Sequence, residues 1–540
     1  MLILLQERSL KREVQRQLDS LKDSENGGSS GASESSRGGG EKDLYGRLPG
    51  VEVQVNEDGS KNYLVGWSSP DDHMDPHNWS QAPQARKIKV VFMLVLIAFV
   101  VTAGSSIDSG VQTAAAKAFH VSDVTEALGG TAIYLIGFGI GALIASPASE
   151  LFGRYLVYLG TLLIYACWIL GAALAPNIGA QIAFRFLAGL SGSAPLTVAG
   201  GTISDIFNAR EKTWAFPLFA IIGFGGPVLG PVLSAYIPVT GVLDFHWAEW
   251  VILILDGLVI VLILAFKEET LAPRLLKRKA AYFRKLTGDD RFRSQIELGD
   301  HSLWTVLKTN FSRPFILALE PIVLAFTLYL SIIYIILFTF LDGYDYIFEM
   351  TYGINSGLSN IIFVGLFIGI LLQVVLVPVI VSKTNKQLAR DGDEGQGTKL
   401  DRESRLLFAM YSAPAIPIGL FWMAWTDYAS ISIWSPIVSS LVIGFGFIAV
   451  FLSAYMYIID SYEMYAASAL TFCALVRYLA AGGMTVVGVP MYGNLGTHYT
   501  LTILACISIA ALPIPYLLYI WGPRLRAKSK YAHQPEGEKE

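Results

Sequence analysis

The chain has 540 residues, of which 53% are hydrophobic and only 16% are charged, and its formal net charge is −4. Soluble domains carry roughly 25% charged residues, so this composition excludes an ordinary soluble protein. The nearly balanced charge also provides no basic surface for nucleic acid. The cysteines Cys167, Cys473 and Cys506 all lie in apolar stretches. They form neither a disulfide framework nor a metal-binding spacing, so no metal and no cofactor is expected.

The first part of the chain, residues 1–85, is polar, and residues 24–42 within it are rich in Gly, Ser and Glu. Segments of this kind cannot bury enough apolar surface to fold. We therefore predict an N-terminal tail that is largely disordered.

Long apolar segments follow, each near the ~20 residues that a helix needs to cross a bilayer. Because a spanning segment must satisfy its own backbone hydrogen bonds, the segments are predicted to be helices. The sequence thus predicts an all-α integral membrane protein with twelve transmembrane helices in two six-helix bundles. The predicted spans are residues 88–108, 127–147, 155–175, 181–203, 214–236, 248–266, 315–340, 357–381, 405–425, 434–458, 466–489 and 499–521.

Basic residues are concentrated in the loops on one side of these spans. Lys and Arg collect in cytoplasmic loops, so both termini and the long central loop are predicted to be cytoplasmic. That loop reads as a charged connector with at most one amphipathic helix. The predicted domains are the tail 1–85, a first bundle 86–266, the linker 267–313, a second bundle 314–522 and a tail 523–540.

Two six-helix halves around a midplane cavity are typical of secondary transporters. The chain has no Gly-x-x-x-x-Gly-Lys-Ser/Thr loop for ATP. Transport would therefore be driven by an ion gradient or by the gradient of the substrate itself. The sequence indicates a transporter in a lipid bilayer that binds a small molecule, and not an enzyme.

The turn after the second span carries Glu150, Gly153 and Arg154. The glycine permits a tight turn, and Arg154 would lie at the inner surface. Asp205, at the inner end of the fourth span, could pair with Arg154 and act as a conformational latch. Alternatively, Arg154 is only a positive-inside anchor.

Two helices contain residues that are unusual in a membrane span. Arg185 lies inside the fourth span, where a charge is costly and normally faces a cavity or a partner. Proton coupling or a structural role would both explain it. The fifth span holds Gly226-Pro227 and Gly230-Pro231, a pairing that bends a helix and lets a neighbour approach closely.

These motifs resemble the major facilitator superfamily, and in particular its fungal branch of twelve-span drug:proton antiporters. The resemblance covers Asp75 to about Ala532, and it departs from the branch at Gly139-Ile-Gly141-Ala142, at Tyr155 and at Cys473. It implies a monomer that exchanges protons for a drug, secondary metabolite or polyamine, in the plasma membrane or alternatively the vacuolar membrane. The residues that carry it are Glu150, Gly153, Arg154, Arg185, Gly189, Gly226, Pro227, Gly230, Pro231, Glu320, Glu403, Arg405, Asp460, Tyr462 and Arg477.

Ionisable residues within spans are the default functional candidates. Asp108 near the outer end of the first span and Glu320, about two turns into the seventh, are candidate proton carriers. Arg477 in the eleventh span is a candidate counter-ion or a site for an anionic substrate. The aromatic residues Tyr329, Tyr334 and Tyr457 are candidates for lining the pathway, where their faces can bind flat or cationic compounds.

Two other functions remain open at this point. One is an uptake permease or facilitator for a nutrient such as an organic acid. The other is a non-transporting membrane sensor on the same scaffold, which would be expected to carry a long folded cytoplasmic domain. The Gly-Pro pairs of the fifth span favour the antiporter.

Overall fold

The computed structural model describes residues 2–27, 45–55, 61–81, 84–207, 209–298, 311–379, 382, 402–462 and 465–532. We number the membrane spans 1 to 12 in chain order. The helices of the first half are Gln84–Ala103 and Gln112–Phe119 in span 1, Asp123–Ala127 and Ile133–Phe152 in span 2, Arg154–Ala173 in span 3, Ile178–Ile206 in span 4, Ala209–Ser234 in span 5, and Trp247–Phe266 in span 6. Those of the second half are Pro321–Tyr344 in span 7, Ser356–Ile361 and Phe363–Leu372 in span 8, Leu407–Ser412 and Ala415–Thr426 in span 9, Trp434–Tyr462 in span 10, Ala466–Ala511 across spans 11 and 12, and Pro513–Lys528 in span 12.

Over the residues that the structure describes, 10 helical segments are long and apolar enough to cross a membrane, or 11 when the bent pair in span 1 counts as one crossing. The last of them, Ala466–Lys528, has 63 residues. A straight helix of that length would measure about 95 Å, roughly three times the thickness of the hydrocarbon core. It is interrupted at Gly496, which has φ 77° and ψ 172°, and therefore holds two crossings. The all-α membrane fold predicted from the sequence is confirmed.

Two spans begin or end at residues that differ from the sequence prediction. Span 1 was expected to run to residue 108, but its helix ends at Ala103 and a short 3-10 turn, Ile107–Val111, follows. The two parts of the span meet at 43°. Span 7 was expected from residue 315, but its helix begins only at Pro321. Proline is favoured in the first turn of a helix, where its missing N–H is not needed.

The two halves touch each other through glycine contacts. A Cβ placed on Gly482 of span 11 would lie 2.9 Å from the carbonyl oxygen of Ala132, next to span 2. A Cβ on Gly357 of span 8 would lie 3.0 Å from Tyr236, just after span 5. These contacts close one end of the molecule. We call it the acidic end, because the described residues that connect the spans there carry Asp123, Asp345 and Asp427 among their charges. The opposite end, which carries Arg154, Lys267 and Arg526, is called the basic end.

A small folded unit lies at the basic end, and we call it the tail–linker module. It comprises helix α1 (Leu2–Gly27), strands β1 (Val51–Val55) and β2 (Lys61–Val65), helix α2 (Ala272–Thr287), strand β3 (Phe292–Arg293) and the short helix α3 (Gln295–Leu298). Strand β1 pairs antiparallel with β2, and β2 pairs parallel with β3. Its apolar core comprises Val14, Leu18, Leu21, Leu48, Val51, Tyr63, Val65, Ala280, Phe283 and Phe292.

The module corrects two expectations drawn from the sequence. The prediction of a largely disordered tail over residues 1–85 is wrong for 2–27, 45–55 and 61–81, which are folded. The linker is more than a charged connector, because its strand β3 adds to a sheet begun by the N-terminal segment. The physical reason is mutual burial, since each segment alone has too little apolar surface to fold. Residues 28–44, with most of the Gly- and Ser-rich stretch, lie outside the described part.

The module is fastened to the spans by side chains of α1. Gln6 makes a pair of hydrogen bonds with the backbone of Glu269, where its Nε2 donates to the carbonyl oxygen and its Oε1 accepts from the N–H, both at 2.9 Å. Within the module, Glu7 of α1 also pairs with Arg278 of α2 at 2.8 Å. The N-terminal segment is therefore attached directly to the residues that follow span 6.

Candidate functional site

A cavity of about 260 Å³ lies between the two halves and extends from the basic end toward the middle of the spans. Both halves contribute to its wall, with spans 2, 3, 4 and 5 on one side and spans 10 and 11 on the other. Its lining is mainly small and aromatic, and the charged residues in it are Glu150, Arg154 and Asp205 near the basic end and Arg477 at depth. Concave sites with a few well-placed polar groups are where small molecules bind.

The latch residues predicted from the sequence meet at the mouth of this cavity. Arg154 Nε lies 3.1 Å from Asp205 Oδ2, as the sequence interpretation expected. Gly153 adopts φ 90° in the turn that precedes it, a conformation that favours glycine. Glu269 then accepts a hydrogen bond from the backbone N–H of Arg154 at 3.0 Å. Glu150 lines the same mouth.

The second half contains a corresponding ion pair that the sequence analysis missed. Arg405 Nε, at the start of span 9, lies 2.7 Å from Asp460 Oδ2, at the end of span 10. Its members are 55 residues apart, against 51 for Arg154 and Asp205. The two halves therefore repeat the same contact, and the similar spacing was the signal that could have revealed it.

A buried charged cluster lies near the acidic end of the first half, and we call it the Arg185 cluster. Arg185 Nε is 3.1 Å from Asp108 Oδ2 and donates to the carbonyl oxygen of Gly130 at 2.8 Å. Its Nη1 lies 3.1 Å from Glu249 Oε1, although the pair lacks hydrogen-bond geometry. Gln181 donates to Glu126 Oε1 at 3.1 Å. Spans 1, 2, 4 and 6 thus each supply a polar side chain to one point.

The charges of this cluster do not balance. Arg185 is fully buried, and Asp108, Glu126 and Glu249 are exposed by only 4%, 1% and 3%. Three ionised carboxylates beside one guanidinium would leave an excess of two negative charges. Isolated buried charges are so costly that such groups usually take up a proton instead. The composition of the cluster therefore makes it a candidate proton-binding site. Glu126 and Glu249 were missed from the sequence because they stand in the first turns of their helices.

Arg477 of span 11 lies at the inner end of the cavity with no carboxylate beside it among the described residues. Its guanidinium carbon is 4.6 Å from the ring centre of Tyr334 and 4.7 Å from that of Tyr478. The rings of Phe451 and Tyr455 are each 5.3 Å away. Nη2 donates a 3.4 Å hydrogen bond to the hydroxyl of Tyr478, whereas Nε and Nη1 have no hydrogen-bond partner.

This environment compensates the charge of Arg477 only in part. A cation over an aromatic ring gains about 0.5–2 kcal/mol, but the rings do not supply the hydrogen-bond acceptors that Nε and Nη1 lack. Phe138 of span 2 packs on Tyr478 at 4.7 Å, and Phe224 of span 5 packs on Phe451 at 5.4 Å. Aromatic side chains from both halves thus surround one incompletely satisfied cation.

Several sequence candidates lie elsewhere. Glu320 was expected two turns into span 7, and this is wrong, because it precedes the first helical residue and accepts a 3.3 Å hydrogen bond from Tyr462. Tyr329 and Tyr457 are buried, but neither lines the cavity. The Tyr457 hydroxyl accepts from Arg526 Nη1 at 2.6 Å, near the basic end. Tyr334 contributes to the site through its contact with Arg477.

The Gly-Pro pairs of span 5 face span 1. Pro227 has no N–H to donate to the carbonyl oxygen of Gly223, and the hydroxyl of Thr102 lies 3.0 Å from that oxygen. A Cβ on Gly226 would overlap Thr102 and lie 2.8 Å from the backbone nitrogen of Ala103. The motif therefore brings the two helices into backbone contact. It also places a hydroxyl of span 1 within hydrogen-bond distance of the carbonyl group that the proline leaves free.

Comparison with known proteins shows which family this architecture belongs to. The sequence profile described as Major Facilitator Superfamily matches residues 93–485. The MFS-type transporter kojT of Aspergillus flavus is 45% identical over 469 residues, which are 87% of this chain and 82% of that protein. The MFS-type efflux pump MFS2 of Trichophyton rubrum is 37% identical over 88% of this chain and 78% of that protein. The proton:xylose symporter XylE has the same fold, with a TM-score of 0.58 at 12% identity over 81% of this chain and 96% of that chain.

Proposed function

Because this chain belongs to the Major Facilitator Superfamily and is a multi-pass membrane transporter, we propose that it exports a small organic compound in exchange for protons. The observation that carries the proposal is the Arg185 cluster. A buried site with three carboxyl groups and one guanidinium holds exchangeable protons within the spans. Intramembrane carboxyl groups paired in this way are typical of proton relays.

The direction of transport is supported by two further observations. The Gly-Pro pairs of span 5 resemble the antiporter motif, and the similar protein MFS2 is named an efflux pump. The basic end faces the cytoplasm in this proposal, since Lys and Arg collect on that side. The cavity in this structure is then open to the cytoplasm, where an exporter collects its cargo. The membrane is the plasma membrane, with the vacuolar membrane as the alternative, and the transporter works as a monomer.

The proton exchange resides in the Arg185 cluster, and Glu126 and Glu249 belong to it together with Asp108. Exchange requires that the cluster take up protons when the acidic end is open to the outside. It must release them toward the cytoplasm after that end has closed, so that protons move in the direction opposite to the cargo. The latch residues Arg154 and Asp205 hold the opposite end in its open arrangement.

The test of export is a deletion of the gene in its host, followed by comparison of metabolites inside and outside the cells. Retention of a compound that the parent strain secretes is expected, and restoration of export by the wild-type gene is the control. If the deletion strain instead retains no compound and fails to take up a compound that the parent strain imports, the result would support the permease alternative.

The test of coupling uses purified protein in liposomes and the retained compound. The wild-type protein is expected to transport the compound only when a pH difference exists across the membrane. In the Glu249→Gln variant, transport of the compound is expected no longer to depend on that difference. Asp256→Asn, which removes another buried carboxyl of span 6 outside the cluster, is the matched control and should remain coupled. Equal transport with the gradient collapsed would exclude proton exchange.

A further inference from the structure

The geometry points to an anion-binding site at Arg477, and we infer that the transported compound carries an acidic group such as a carboxylate on a flat ring. This inference rests on the proposed transport function and assigns the class of its substrate. The site is the closed end of the cavity, formed by Arg477, Tyr334, Phe451, Tyr455 and Tyr478.

The first argument is the unmet hydrogen-bonding capacity of Arg477. The side chain is 1% exposed, and its Nε and Nη1 donors have no partner. Each of these nitrogens can donate a charge-assisted hydrogen bond to an acidic group. The nearby polar groups are tyrosine hydroxyls, and none of them supplies a negative charge. That of Tyr478 already accepts from Nη2, and that of Tyr455 is close enough to interact with the guanidinium. An anion would therefore complete a site that the protein leaves incomplete.

The second argument is the distribution of charge along the cavity. The other cation in its lining, Arg154, is paired with Asp205 at the basic end. Glu150 lies at the same end. The inner end of the cavity is therefore positive, and its mouth carries the acidic groups. A cationic cargo such as a polyamine would meet an unpaired guanidinium at the point of deepest binding, which disfavours that class.

The third argument is the shape offered by the aromatic side chains. Phe451 and Tyr455 stack on each other with ring centres 4.2 Å apart, and Phe216 stacks on Tyr455 at 5.9 Å. Stacked faces beside a cation accommodate a planar molecule whose acidic group points to Arg477. A volume of about 260 Å³ suits a compound of one or two rings.

Three probes that share one ring system test the assignment: 2-naphthoate, the neutral 2-naphthamide and the cationic 2-naphthylmethylamine. Each is titrated at equilibrium into purified protein in detergent, and affinity is read from the rise in melting temperature. Naphthoate is expected to bind at least tenfold more tightly than the amide, and the amine most weakly. Equal affinity for naphthoate and the amide would overturn the inference.

Variants at two positions distinguish the effect of the Arg477 charge from a failure of the protein to fold. Arg477→Gln is expected to lose the tenfold preference for naphthoate, whereas Arg477→Lys should keep part of it. Since Arg477→Gln could fail to fold, Ala474→Glu offers a second test. Ala474 lines the cavity one turn before Arg477, and a carboxylate there can neutralise the guanidinium. Its control is Ala474→Gln, which has the same size without the charge.

Naphthoate should bind at least tenfold more weakly to Ala474→Glu than to Ala474→Gln. Equal binding by these two variants would overturn the anion site. Because binding is measured without any gradient, this failure would leave proton exchange untouched. Conversely, if the protein prefers naphthoate but transports equally well without a pH difference, the exchange mechanism is excluded and the anion site is still supported.

Discussion

The close contact between spans 1 and 5 gives the sharpest prediction about stability. Gly226→Ala adds a Cβ that would overlap the Thr102 hydroxyl and lie 2.8 Å from the nitrogen of Ala103 and 2.9 Å from the carbonyl oxygen of Phe99. Two of these atoms belong to the backbone and cannot rotate away. The helices must separate, and overpacking of this kind costs typically 1–3 kcal/mol.

Gly223→Ala is the matched control, one turn earlier in the same helix. Its Cβ would meet only the Cβ of Ala98, at 3.4 Å, which is an ordinary contact. Both variants share the same gain in helix propensity, about 1 kcal/mol for Ala over Gly. The difference between them therefore isolates the steric term.

The assay is the fraction of each purified variant that stays monodisperse after heating in one detergent. We expect Gly226→Ala to lose its folded form at a clearly lower temperature than Gly223→Ala, which should match or exceed the wild type. If both variants melt together, spans 1 and 5 do not touch at Gly226, and the account given of the Gly-Pro motif is wrong.

Three further predictions concern other parts of the molecule. Arg405→Gln and Asp460→Asn should each destabilise the protein, and a double-mutant cycle should give a coupling of about 1–3 kcal/mol; additive effects would argue against the ion pair. In a cysteine-free background, Met350→Cys at the acidic end, where Met350 is 70% exposed, should react with an impermeant thiol reagent added outside intact cells. Leu319→Cys at the basic end, where Leu319 is 84% exposed, should not react. The reverse pattern would show that the proposed topology is wrong. Burial alone would raise the pKa of Glu297, but hydrogen bonds from a neighbouring arginine and serine outweigh burial and leave the pKa below its ordinary value of 4.5. The contribution of Glu297 to stability is therefore complete above pH 4.5 and is lost as the pH falls through the lower pKa of the folded state. Amide exchange over residues 292–298, corrected for intrinsic rates, should show that loss in the wild type and not in Glu297→Gln.

The spans could be read from the sequence because bilayer thickness imposes a length on every crossing. The twelve-span prediction holds for that reason, and its errors occur where local chemistry sets the helix end. Pro321 begins span 7 six residues later than hydropathy suggested, and Glu320 therefore precedes this helix instead of lying within it. Hydropathy averages over a window and does not detect a single helix start.

The site was predicted only in part. Arg185, Asp108 and Arg477 were found because a charge inside an apolar run is conspicuous. Glu126 and Glu249 were not, because they lie where a loop enters a span and a charge there is ordinary. What joins them is the packing of four helices around Arg185, and no spacing along the chain encodes that arrangement.

The tail–linker module was missed for a different reason. Leu10, Val14, Leu18 and Leu21 repeat at helical spacing, so the apolar stripe of α1 was visible in the sequence. A stripe without a partner nearby does not predict a fold, however, and the residues that cover it follow span 6. Interactions between segments so far apart are not apparent from a single sequence.

That separation has a consequence for how the molecule is made. Gln6 is bonded to Glu269, 263 residues later, and a ribosome adding about 5–20 residues per second needs roughly 13–50 s to cover that distance. During this interval β2 has an unpaired edge, and the apolar stripe of α1 lacks Ala280, Phe283 and Phe292, which complete the core. The nascent N-terminal segment therefore stays incompletely packed until the sixth crossing is complete. Its docking then marks the moment at which the first half of the transporter has been synthesised.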